Sequence, residues 1–217
     1  YCGGLIGLGA RSLYARRASA LDPSGVDMDK TATTDFPIAE VLANRHSPRA
    51  FDADAELTDE QIGSLLEAAR WSASSSNSQP WRLYVARRGT ELHRKVFGAL
   101  ASGNQAWAGD PACLIVNVAK MVTEDGSPEK WAAYDVGQAA AHLSVQATSM
   151  GLVTHQMGGF DKESVRAALG LDEFHTPWAV IAVGPEGDPS TLSEKLQERE
   201  KAPRTRKSLE EIAPDWR

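Results

Sequence analysis

The chain has 217 residues, 42% of them apolar and 24% charged, with a formal net charge of −6: a water-soluble globular profile, long enough for one full core. That charge argues against a nucleic-acid partner, which needs a basic face, and no apolar run approaches the roughly 20 residues that cross a bilayer. Cys2 and Cys113 form no CxxC motif or disulfide framework, which suits a reducing cytoplasm, and the five histidines lack metal-ligand spacing, so no metal site is expected.

Residues 1–27 lack amphipathic period and capping signals. They read as an N-terminal extension outside the fold, upstream of the natural start. The alternative is a transit peptide, since the stretch is basic and poor in acids. Its glycines are not a phosphate loop, because no GK[ST] follows. Residues 28–217 are expected to form a single domain. Asp35 is placed to cap a helix with Pro37 in its first turn, running through IAEVLANR. Thr58-Asp59-Glu60-Gln61 is a capping box, and Ile62, Leu65, Leu66 and Ala69 follow at helical spacing to about Trp71. Pro80 blocks continuation. RLYVAR (82–87) suits a strand, 90–101 a helix, and ACLIVNV (112–118) a second strand in which Cys113 is a small core residue.

Ser127-Pro128 then opens the longest helix, closed by Gly151 as its C′ residue. Dense in alanine and poor in charge, it reads as a buried central helix covered by a partner subunit as well as by its own domain. LVTHQM is a short strand. Asp161 caps KESVRAAL and Gly170 ends it. WAVIAVG (178–184) is the last core strand. Residues 185–217 are polar, basic and punctuated by proline, an arm too poor in apolar residues to build its own core. Helices and strands alternate irregularly, so the class is α+β, with a mixed, largely antiparallel sheet.

Four stretches carry polar chemistry. SASSSNSQPW (72–81) joins a helix to a strand inside one domain, where linkers rarely sit. Without GxSxG or triad spacing its serines are not read as nucleophiles. It is read as a ligand-gripping loop, with Pro80 and Trp81 structural. RHSPR (45–49) places two guanidiniums, an imidazole and a hydroxyl after the first helix; alone it equally suits a solvated helix end. Arg204-Thr-Arg206-Lys207 is a second basic cluster. Gly158-Gly159 is either a turn or a place where a backbone N–H approaches a flat ligand.

In order and spacing these pieces resemble the FMN-dependent nitroreductase family from about Asp35 to Leu209. They are Arg45-x-Ser47-x-Arg49, Ala68-Ala69-Arg70-Trp71, Ser74-Ser75-x-Asn77-x-Gln79-Pro80-Trp81, Asp135 with Gly137, Gly158-Gly159-Phe160-Asp161, and Arg204-x-Arg206. The family has Pro at the position of Ala73. Gln156 and Gly158 stand at the strand end that lies beside the flavin in the family. The resemblance implies a homodimer with two FMN sites at its interface and a C-terminal arm (185–217) exchanged between subunits.

In that scheme Arg45, His46, Ser47, Arg204 and Arg206 hold the phosphate and ribityl chain. Ser74, Ser75, Asn77 and Gln79 reach the flavin from the other subunit. Arg49 faces the N1/C2 carbonyl edge, and a backbone N–H near Gly159 lies close to N5. The resemblance also implies ping-pong transfer of two electrons from NADH or NADPH to a nitroaromatic, quinone or similar acceptor in an open pocket. The alternatives are another flavin chemistry (reductive dehalogenation, enone reduction, flavin breakdown) or a non-catalytic flavin-binding protein.

Overall fold

The computed structural model describes residues 30–216, so the expectation for 1–27 lies outside the described residues. Thr31–Arg217 form one contact unit. Its centre is a sheet of four strands in the order β1-β2-β4-β3, all neighbours antiparallel: β1 (Trp81–Arg87), β2 (Cys113–Lys120), β3 (Val153–Met157) and β4 (His175–Gly184). β2 is CLIVNVAK and β4 ends in AVIAVG, continuous apolar runs that suit strands covered on both faces. The pleat sorts them. Leu114, Val116, Val118, Val180 and Ala182 enter one core. Cys113, Ile115, Ala119, Ile181 and Val183 enter the other. Burial of this kind contributes about 1.5–3 kcal/mol for each large side chain. It also pushes the Cys113 thiol up to about 12, making that residue inert core.

The second core is roofed by α2 (Asp59–Arg70) and α5 (Ala132–Ser149). α2 begins at the expected capping box: Thr58 Oγ1 accepts from the Gln61 amide at 3.1 Å, and Gln61 Oε1 accepts from the Thr58 amide at 2.9 Å. α5 ends as expected, with Gly151 at φ 73° and the Leu152 amide returning to the Ala147 carbonyl at 2.9 Å. It starts later than Ser127-Pro128, because residues 122–128 turn back on themselves through a Val122–Pro128 bridge. The first core lies under α3 (Glu91–Gly98) and α6 (Lys162–Leu169), the latter capped by Asp161 and stopped by left-handed Gly170. α4 (Ser102–Gln105), too short to show a period, was not expected.

Two further differences are informative. α1 spans only Glu40–Asn44 and has no side-chain cap, so Asp35-Phe36-Pro37 stays outside it. The arm is not featureless either. α7 (Glu194–Lys201) and α8 (Leu209–Ile212) form in it, and Leu192 and Leu196 are buried in the chain's own first core. The first half of the arm therefore docks without a partner. Its entry is tight: the Asp52 amide donates to the Pro185 carbonyl at 3.1 Å and the Gly187 amide to the Ala50 carbonyl at 3.1 Å. A Cβ on Gly187 would strike the Phe51 carbonyl. Gly187→Ala should therefore lower unfolding stability by about 1–3 kcal/mol, read from urea midpoints, whereas Gly63→Ala, which meets nothing within 4 Å, should not.

Candidate functional site

The polar residues singled out in the sequence gather into two groups. The first lies beside β3. His155 projects from that strand, packs against Trp107 with ring centroids 4.6 Å apart and planes tilted by 44°, and engages the Pro48 carbonyl through Nδ1 at 2.9 Å. RHSPR is thus fastened to the sheet edge through its backbone. Burial, ahead of other causes, holds the His155 pKa below its ordinary value, which suits a neutral ring tied to a carbonyl.

Arg45 extends from this segment and donates to Ser47 Oγ at 3.2 Å. Arg204 arrives from the arm and donates to the Ala43 carbonyl at 2.7 Å. Burial first, then the positive charges of Arg204 and Arg206, hold the Arg45 guanidinium below its ordinary pKa. Burial and Arg206 do the same to Arg204. The two basic clusters, about 160 residues apart in sequence, therefore share one place. Among the described residues no carboxylate lies within ion-pair distance of Arg45 or Arg206. Guanidiniums that repel one another form a donor set suited to a phosphate dianion. The other two members of RHSPR are already engaged. His46 Nε2 meets Glu186 Oε1 at 3.0 Å, and Arg49 Nη1 meets Glu200 Oε1 at 3.0 Å.

β3 continues past His155 to Met157 and delivers Gly158, about 10 Å beyond His155 at the usual rise per residue. A Cβ at Gly158 would meet nothing within 4 Å, whereas one at Gly159 would come 3.2 Å from Asn104 Nδ2. The Gly159 carbonyl accepts from the Ala101 amide at 2.9 Å and from Asn104 Nδ2 at 3.0 Å. Asn104 was not foreseen: one amide in the short SGNQ stretch carries no signal of what it will meet. Gln156, expected near the same edge, donates to Ser144 Oγ of α5 at 3.2 Å.

The second group is the loop 72–79. Ser76, Asn77 and Gln79 all have positive φ, at 49°, 57° and 48°, a conformation that costs non-glycine residues free energy. α5 holds it there. The Ser75 amide donates to Asp135 Oδ2 at 3.0 Å, Gln138 Nε2 to the Ala73 carbonyl at 3.4 Å, and Ser72 Oγ meets His142 Nδ1 at 2.9 Å. Positions 135, 138 and 142 lie on one helical stripe. Asp135 is 2% exposed, and its other oxygen accepts from Gln138 at 3.3 Å. Within the loop, Ser74 Oγ accepts from the Gln79 amide at 3.1 Å. Trp81 is buried in the second core, as expected for a structural anchor.

The two groups are anchored on opposite edges of the sheet. The loop leads into β1 and RHSPR leans on β3, three strand spacings away, about 14 Å. Their anchors differ as well: the loop hangs from α5 at Asp135, whereas RHSPR follows α1, which also packs against α5, and is tied through His155 to Trp107 of the first core.

Comparison with known proteins agrees with this architecture. A family model described as Nitroreductase family matches residues 42–185. An uncharacterized 15.4 kDa protein of Mycolicibacterium smegmatis is 38% identical over 140 residues, covering 61% of this chain and 93% of that protein. The oxygen-insensitive NAD(P)H nitroreductase of Salmonella typhimurium is 27% identical over 192 residues, covering 68% and 88%. A solved structure described as an oxidoreductase containing FMN is 31% identical with a TM-score of 0.80, covering 85% of this chain and 94% of that one.

If Asp135 is what holds the loop, Asp135→Ala should cost about 1–3 kcal/mol, the range for a lost buried hydrogen-bond partner. It should also open 72–79 to limited proteolysis. Asp135→Asn, which keeps an acceptor, should protect the loop better than Ala.

Proposed function

The chain belongs to the nitroreductase family, and from that premise we propose that it is an FMN-dependent NAD(P)H oxidoreductase, working as a cytoplasmic homodimer. The domain covers 28–217, with 185–217 as its arm. One observation carries the reading: the cationic group and the strained loop are anchored on opposite edges of one sheet. A single copy does not close a site around both. A second copy, presenting its loop to the first copy's arginines, does.

The exposed aromatics support such a pairing. Trp71 (73% exposed) precedes the loop, and Trp131 and Tyr134 (65%) open α5. Large exposed rings beside a polar site mark surfaces that other proteins cover. Distal to α7, Arg204 and Trp216 still meet this chain's own Ala43 carbonyl and Phe36 ring, and it is Ile212, 63% exposed, that offers apolar surface to the partner.

Arg45, Ser47, Arg204 and Arg206 hold the phosphate of FMN in this reading, with His46 supporting the segment through Glu186. Ser74, Ser75, Asn77 and Gln79 of the second copy supply donors and acceptors for the ribityl hydroxyls. Gly158 and Gly159 let backbone approach the ring, and Arg49 balances negative charge at its edge. Bound FMN supplies the two-electron chemistry between NAD(P)H and a nitroaromatic, quinone or similar acceptor. No side chain here is assigned as a general acid, so water delivers the protons. NAD(P)H and acceptor use one open pocket in turn.

Purified protein should bind FMN, quenching its fluorescence, and the complex should bleach with NAD(P)H. Arg204→Ala with Arg206→Ala should weaken FMN binding by at least tenfold, since charge-assisted hydrogen bonds contribute about 1.5–3 kcal/mol each. Ser75→Ala with Asn77→Ala should weaken it too. Mixing the two double variants should regain one tight site per mixed dimer. Absence of regained binding would place both groups in one chain's site. For turnover, double-reciprocal plots against NAD(P)H at several acceptor concentrations should be parallel; intersecting lines would mean that both substrates bind together.

A further inference from the structure

α7 has the sequence EKLQEREK, in which only Leu196 and Glu200 are buried. Four residues apart, they share one helix face. Leu196 enters the first core, and Glu200 follows it inward to 7% exposure. Glu194, Lys195, Glu198, Arg199 and Lys201 remain exposed, so the solubility of α7 does not depend on Glu200. A carboxylate withdrawn from water needs a cation or several donors, and here the partner is Arg49 at 3.0 Å.

Arg49 is thereby fixed twice. Its backbone follows Pro48, whose carbonyl His155 holds at 2.9 Å, and its guanidinium is held by Glu200. This differs from Arg45 and Arg206, which have no carboxylate within ion-pair distance among the described residues. In one short segment, one arginine keeps its charge for a ligand and the other shares it with a glutamate. Such a pair presents a fixed donor with little net charge.

We infer that Glu200 is a positioning residue that aims Arg49 and partly cancels its charge, so that α7 lowers the reduction potential of the flavin beside it. The inference rests on the reading that Arg49 faces bound FMN. A lone guanidinium at the flavin edge would favour the reduced, more negative state. A carboxylate 3.0 Å from that guanidinium removes much of the preference. The flavin is then a stronger reductant, suited to acceptors that take electrons poorly. Glu200 touches no reacting atom; it acts through Arg49.

The test uses the full chain loaded with FMN. Potentials are measured by equilibration with reference dyes, and oxidised-FMN affinity by fluorescence. Glu200→Gln keeps an oxygen for Arg49 and removes the charge. It should favour reduced over oxidised FMN by about tenfold relative to the parent, ~30 mV for a two-electron couple. Glu200→Ser should shift the potential the same way if the amide is not accommodated. In an Arg49→Met background the same replacement should shift the potential by far less, as expected for coupled neighbours. The shift between parent and Glu200→Gln should also resist high salt better than that of an exposed pair, because the Glu200 carboxylate is buried and only part of Arg49 meets solvent.

An unchanged potential in Glu200→Gln, or an equal shift with and without Arg49, would overturn the role of Glu200 while leaving the flavin reading intact. If the parent chain binds no FMN, the flavin reading falls, and the inference with it.

Discussion

Asp135 meets the Ser75 amide from a helix that has little freedom to move. Ala132, Val136, Ala139, Ala140, Leu143 and Ala147 of α5 are all buried. Asn117 of β2 reaches across to the Val136 carbonyl at 3.0 Å, tying the start of the helix to the most buried strand. Withdrawing a carboxylate from water is unfavourable unless donors replace the lost hydration. Holding Ser76, Asn77 and Gln79 at positive φ is unfavourable too. Each cost is offset through the same contact: the loop supplies the amide that satisfies Asp135, and Asp135 fixes the loop in a shape it would not keep alone. Hydroxyls and amides are then presented ready-ordered, which spares a ligand the entropy of organising them.

Charge is handled differently at the other edge of the sheet. Arg49 is paired inside the protein with Glu200, whereas Arg45, Arg204 and Arg206 are crowded together. The first arrangement gives a directed donor; the second gathers mutually repelling guanidiniums in one place. On the proposed reading a phosphate dianion answers that repulsion, and the two arrangements divide the work between net charge and hydrogen-bond geometry.

What the sequence made legible was local. The Thr58 box, the Asp161 cap and the stops at Gly151 and Gly170 each need only a few neighbouring residues, and each appears where the spacing placed it. The apolar runs of β2 and β4 named the core without naming its partners. What stayed hidden depends on distant contacts. α7 has one apolar anchor, Leu196, among charged residues, so its helix is fixed by docking rather than by pattern. Nothing distinguishes Glu200 from Glu194 or Glu198 until that docking points it inward. The loop could be read as a grip from its composition, yet its clamp lies 60 residues away. Asp35 looked like a cap and is not used as one, because the helix begins only at Glu40.

Arg204 holds the Ala43 carbonyl across a separation of 161 residues, so the cationic group joins the beginning of the folded chain to its end. Closing so long a span carries a large entropic cost, and the guanidiniums repel one another once it closes. Synthesis runs from the N-terminus, and domains fold largely in that order. RHSPR, the sheet and α5 can therefore assemble while the cationic group is still half-made. The group is complete only when residues 185–206 have followed and docked. Removing residues 202–216 would leave the buried core in place while taking Arg204 and Arg206 out of the cationic group, so that group is complete only in a chain whose arm has folded back.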